Sequence, residues 1–378
     1  MNAMRKLTPL LFLLITCLAD AQTRMPVNFY MHLKGQINEN FNIKADLVKR
    51  GDSLFGHYEY VFSEYDNTSY YIYIGNTIEM KGIALSNGTI KLFEPPFGKS
   101  SLFEGRFVNQ KRFSGHWIGP DGNLKIPFDL SEEYANGSVP LNVFSLKDSV
   151  FITPKSRQPK AILDLLLLFP AESGNVVMSD SLRKIIAEKF SEGSHGSLNP
   201  DSIINNIRRL YFGNFKLYQS PSTDSSTSMK NWSKSKTMEV VLNDGNLLTL
   251  KIIHKVSIGE GSPKKVIDAI TVFLKNARIV GLADLIRESY LPKINEMVDS
   301  KIREKFHLSP SASLKDAGFF ADRITTFDQV FITRQGIGFF FNEYSIAGPE
   351  TGGFEVIVPF QEVGDGLFKD GVLSELLH

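Results

Sequence analysis

The sequence predicts an α+β protein. An N-terminal all-β antiparallel meander, closed as a barrel or folded as a sandwich, precedes an α+β region with hairpins packed on helices. Three observations carry this. From Met25 to about Glu133 short apolar runs alternate with turn residues, and no helical period occurs. Beyond residue 138 two amphipathic helix patterns stand between a buried strand and a hairpin. No repeated strand–helix–strand unit is present, which argues against a doubly wound sheet.

The chain opens with a secretory signal over residues 1–21. Arg5 and Lys6 supply the positive start, Leu7 to Leu18 is largely apolar, and Ala19-Asp20-Ala21 is a small-x-small cleavage pattern leaving Gln22 first. The run is too short for a comfortable bilayer span, which takes about 20 apolar residues, and no other segment approaches one. A lipoprotein reading through Cys17 is less favoured, because Thr16 stands where that box takes Gly, Ala or Ser. The expected location is extracytoplasmic, periplasmic or secreted. The only cysteine leaves with the signal, so no disulfide or thiol chemistry is expected.

The β-domain is assigned to 22–137. Lys49-Arg50-Gly51-Asp52, Asn87-Gly88 and Pro120-Asp121-Gly122-Asn123 mark turns, and Asn87-Gly88 suits a type I′ hairpin. Its many aromatics fill a small core; a ligand-stacking face using Tyr70, Tyr71, Tyr73 or Trp117 is the sharper alternative. Tyr134 to Lys160 reads as linker plus an entering strand, open to proteolysis.

The α+β domain is assigned to 138–378, in halves 138–258 and 259–378. Ala161 to Pro170 is a buried strand. A helix follows from Ser179, with Leu182, Ile185, Ile186 and Phe190 on one face and Ser179 or Asp180 as its cap. Asn199 caps the next helix, Pro200 takes its first position, and Ile203, Ile204, Ile207 and Tyr211 form the stripe. Met238–Leu242 and Leu247–His254 flank Asn243-Asp244-Gly245-Asn246 as a hairpin, followed by a strand at Val266–Leu274. A long helix from about Ser289 carries Leu291, Ile294, Met297, Val298, Ile302 and Phe306. Phe331-Ile332-Thr333-Arg334-Gln335-Gly336 through Phe341 reads as two β-runs around a glycine turn. Tyr344-Ser345-Ile346-Ala347 and a third run, Phe354 to Phe360 with Pro359, follow.

This C-terminal order resembles that of the lysozyme-sensing, RsiV-like anti-sigma factors and of the accessory domain in peptidoglycan deacetylases of the PdaC type. The resemblance covers about 147–366 and is most specific at 327–361. Family members often carry a Gly-Gly-Ala-His turn after the first hairpin; here Gly259-Glu260-Gly261-Ser262 stands instead, without the histidine. The resemblance implies binding of a protein such as lysozyme, or of peptidoglycan. It implies neither sigma-factor regulation nor deacetylation, because no anti-sigma segment, transmembrane helix or catalytic deacetylase domain is read in the chain.

Charge points to no nucleic acid. Removing Arg5, Lys6 and Asp20 from 42 basic and 41 acidic residues leaves 40 of each, and basic runs such as Lys230–Lys236 are short. The seven histidines lie at least 25 residues apart, and none has metal-ligand spacing. Neither a metal nor a cofactor is expected, and each histidine is read as surface or hydrogen-bonded scaffold. Gly193-Ser194-His195-Gly196-Ser197 lacks the nucleophile-elbow pattern. The expected function is an exported, non-catalytic envelope protein. Its candidate binding residues are Gly259, Glu260 and Gly261 in one loop and Glu343, Tyr344 and Glu350 in another. The alternatives are a cell-wall glycan hydrolase or deacetylase with an unrecognised site, and a structural adaptor.

Overall fold

The computed structural model describes residues 25–377, apart from 67–68, 97–99, 135–136, 154, 156–157, 173–175, 192–196, 220–229, 260–262, 326 and 328. The signal segment with Cys17, the Gly193–Gly196 motif, Glu260, Gly261 and the side chains of Tyr70, Tyr71 and Tyr73 lie outside the described residues.

The meander closes into a barrel rather than a sandwich. Strands β1 (Asn28–Ile37), β2 (Phe41–Arg50), β3 (Ser53–Asp66), β5 (Ile78–Ala84), β6 (Ile90–Phe93), β7 (Leu102–Asn109), β8 (Arg112–Ile118) and β9 (Lys125–Glu132) pair antiparallel in sequence order. β1 also pairs with β9 through Leu33↔Glu132 to Ile37↔Phe128, which closes the ring. β4 (Ser69–Ile74) hangs from the far half of β3.

Alternation sends Leu33, Ala45, Leu47, Tyr58, Phe103 and Phe113 inward. The space left between these walls is about 10 Å³, at the lower limit for a single water. The aromatics therefore fill the barrel, as Phe103, Phe113 and Phe128 do with ring centroids 4.9–5.1 Å apart. Trp117 is partly buried against this core and donates its indole N–H to Glu94 at 2.7 Å. The Asn87-Gly88 turn is not the type I′ expected. Only Gly88 has positive φ (83°), and the chain closes over a longer loop by Leu85 N–H to Thr89 O.

A six-stranded mixed sheet follows in the order β10 (Leu141–Thr153), β11 (Gln158–Pro170), β12 (Trp232–Asp244), β13 (Leu247–Ile258), β14 (Lys264–Phe273) and β15 (Arg278–Ile279). The expected linker is thus largely strand, because β10 runs antiparallel to β11 from Leu141↔Pro170 to Thr153↔Gln158. Between the parallel strands β11 and β12 lie α1 (Val176–Phe190) and α2 (Pro200–Tyr218). α1 begins before Ser179, which is buried inside it rather than capping it. α2 is capped as read: Ser202 N–H donates to Asn199 Oδ1 at 3.0 Å, and Ile203, Ile204, Ile207 and Tyr211 are buried. α3 (Leu291–Lys305) buries Ile294, Val298 and Ile302. It packs on a three-stranded sheet of β16 (Gln329–Ile332), β17 (Gly336–Phe341) and β18 (Phe354–Pro359). Among the described residues no helix is long and apolar enough to cross a membrane.

Candidate functional site

The C-terminal sheet lies edge-on to β14 and has two different ends. At one end the β16–β17 turn reaches the barrel. Arg334, 8% exposed, donates to Glu59 at 2.6 Å and pairs with Asp244 at 2.8 Å. Gln335 donates to the carbonyl of Gly75 at 2.7 Å. Lys44 of β2 pairs with the same Asp244. Tyr30, Val48 and Phe55 on the outer barrel wall join the core beneath α1 and α2. The polar-glycine turn read from the sequence is therefore a docking element onto the barrel.

That outer wall holds a row the sequence reading did not assemble. The strand registers place His32, Asp46, His57 and Glu79 side by side across β1, β2, β3 and β5. His32 Nδ1 lies 2.9 Å from Asp46 Oδ1, and His57 Nε2 lies 3.5 Å from Asp46 Oδ2. Tyr30 also donates to Asp46 and accepts from Asn243 Nδ2 at 2.7 Å. Burial alone would raise the pKa of Asp46, but His32, His57 and Tyr30 hold it below the usual carboxylate range. His32 Nε2 is fully buried with no hydrogen-bond partner among the described residues. Nδ1 therefore carries an N–H that faces the Asp46 carboxylate. Among the described residues no group of three or more His, Cys, Asp or Glu side chains is placed to hold a metal ion. The 25 residues from His32 to His57 concealed the row; the Gly51-Asp52 turn, which fixes Asp46 against His57, was the signal for it.

The candidate loops occupy the opposite end of the sheet. Tyr344 is 61% exposed and has φ of 63°, the left-handed region that a bulky residue enters at a cost of about 1–2 kcal/mol. Its neighbours hold it there. Asn342 accepts from Ile267 N–H at 2.8 Å and donates to Ile267 O at 3.0 Å, while Ile346 and Ala347 are buried. Ile346 O also accepts from Phe320 N–H at 2.9 Å. The ring thus projects outward from a fixed backbone. Glu343 is half-buried; Glu350 is exposed and folds over Gly348, where a Cβ would meet its Oε1 at 2.2 Å. Phe320, also exposed, follows the bridge Phe319↔Ala347 beside this loop.

Gly259, with φ of 82°, closes β13 and donates to Asn231 O at 2.8 Å. Glu260 and Gly261, outside the described residues, leave that loop half drawn. Asn342 grips β14 at Ile267, three residues after the strand begins, or about 10 Å at the usual rise. The fold therefore sets the Gly259 turn and the Tyr344 loop at the same end.

Between the barrel and the hairpins runs a cleft of about 300 Å³. Met80, Val241, Phe331 and Ile357 give it an apolar floor, and Glu79, Lys81, Glu239, Lys251 and Glu355 give it a charged lining. No sequence feature marked this site, since its walls come from seven separated strands.

Residues 283–361, which include α3 and the Tyr344 loop, match the family described as "Protein of unknown function (DUF3298)". The C-terminal part therefore carries a DUF3298 domain. Among solved structures, the chain is similar to a DUF3298 family member from Bacteroides fragilis. They share 18% identity and a TM-score of 0.57, over 64% of this chain and 98% of that one. A DUF3298 family protein from Pseudomonas aeruginosa is 13% identical over 60% of this chain and 94% of that one, with a TM-score of 0.44. At this identity the first similarity shows a shared fold and nothing about activity. The chain matches none of the curated proteins.

Proposed function

We propose that this is an exported, non-catalytic envelope protein that binds a protein or cell-wall ligand through the Tyr344 loop. The RsiV-like resemblance of residues 327–361 supports a lysozyme-like protein or peptidoglycan as that ligand, and the apolar segment with Ala19-Asp20-Ala21 supports export. The carrying observation is the outward, backbone-fixed ring of Tyr344. A tyrosine held in advance gives contact area at little entropy cost, and strained backbone concentrates at binding loops. Glu350 on the same loop suits a basic partner such as lysozyme.

Immobilised protein should capture lysozyme or soluble peptidoglycan fragments. Tyr344→Ala and Glu350→Lys should each weaken capture about tenfold, the effect of about 1.4 kcal/mol. The melting temperature of both variants should stay near that of the wild type, because neither side chain is buried. No capture by the wild-type protein, or lost stability with intact capture, would return the loop to a scaffold role.

A further inference from the structure

We propose that the cleft between the barrel and the C-terminal hairpins binds a primary ammonium group carried on an apolar stem, with Glu239 as its counter-ion. The inference is independent of the Tyr344 loop, which does not line the cleft. The volume, about 300 Å³, is at the lower end for small-ligand pockets.

The charges in the lining are mostly committed to one another. Lys251 pairs with Glu355 and stands 4.7 Å from the centre of the Phe331 ring. Glu79 and Lys81 are 3.5 Å apart. Asp46 is engaged by His32, His57 and Tyr30. Glu239 is the exception: among the described residues it makes no hydrogen bond and no close ion pair. It is exposed within the cleft, and the atoms crowding around it raise its pKa, reinforced by Glu79 and opposed by Lys251, Lys81 and Lys265. A carboxylate that lines a cleft without a close partner is free to meet a cation that brings its own donors.

The rest of the lining sets the shape of that cation. Met80, Val241, Phe331 and Ile357 offer apolar surface to a stem, as they would to a lysine side chain. An anion is disfavoured, because the two lysines of the lining already face carboxylates. An uncharged apolar ligand would take solvent from Glu239 without compensation.

Calorimetric titration of the whole protein with hexylammonium, hexanoate, hexanol and Nα-acetyl-lysine amide tests this. Hexylammonium or the lysine amide should bind at least tenfold more tightly than hexanoate and hexanol. The tighter of these two amines distinguishes a free amine from a peptide lysine. Glu239→Gln should weaken amine binding at least tenfold at an unchanged melting temperature, and Tyr344→Ala should leave it intact. Equal affinity for the three hexyl probes, no binding of either amine at millimolar concentration, or an unaffected Glu239→Gln variant would overturn the proposal.

Discussion

Asp244 closes the β12 strand with two cations against it, Arg334 from the C-terminal turn and Lys44 from the barrel. Burial would raise its pKa, but these partners outweigh burial and bring it down from 3.8 to about 2. A carboxyl depressed in the folded state stabilises fully above its unfolded pKa and loses that contribution as pH falls through its folded value. The window is therefore about pH 4 down to about pH 2, and the stabilisation is about 2 kcal/mol. Urea denaturation of the wild type across that range should show the loss. Asp244→Asn should be less stable near neutral pH and should flatten the profile between those limits. Parallel profiles would show that the Asp244 pairs contribute nothing to folding.

Strands that coil around so small a barrel bring neighbouring backbones close, and glycine is needed where they cross. At Gly56 an added Cβ would fall 1.9 Å from the carbonyl oxygen of Asp46, and at Gly82 it would fall 1.7 Å from that of Lys91. Gly56→Ala is expected to lower stability by about 1–3 kcal/mol through forced backbone shifts, read as a lower denaturation midpoint. An unchanged midpoint would mean that the strands can separate at no cost. The Asn199 cap, the apolar stripe of α2 and the Gly245-Asn246 turn, whose φ values of 59° and 61° are both positive, were visible in the sequence. These are local signals, each set within a few residues. β10 was legible only as a linker plus an entering strand, whereas Pro159 stands inside β11 and β10 continues to Thr153. The cleft and the histidine row were hidden for another reason: their members meet only through strand register and the docking of Arg334.

The passage from barrel to mixed sheet is tied down at several points. Val139 N–H donates to Asn243 Oδ1 at 2.9 Å, and Asn246 N–H donates to Gly137 O at 3.0 Å. Tyr134 donates to Glu132 at 2.8 Å. Backbone held in this way resists proteases, so limited proteolysis should leave the barrel attached to the sheet. Rapid release of a fragment ending near Gly137 would contradict that attachment. The same fastening gives the molecule a direction. From Ile267, where Asn342 holds the Tyr344 loop, β14 runs six more residues, about 20 Å, to Phe273 at the end nearer the junction with the barrel. A ligand held at the proposed Tyr344 loop would therefore sit about 20 Å along the strand from the junction with the barrel.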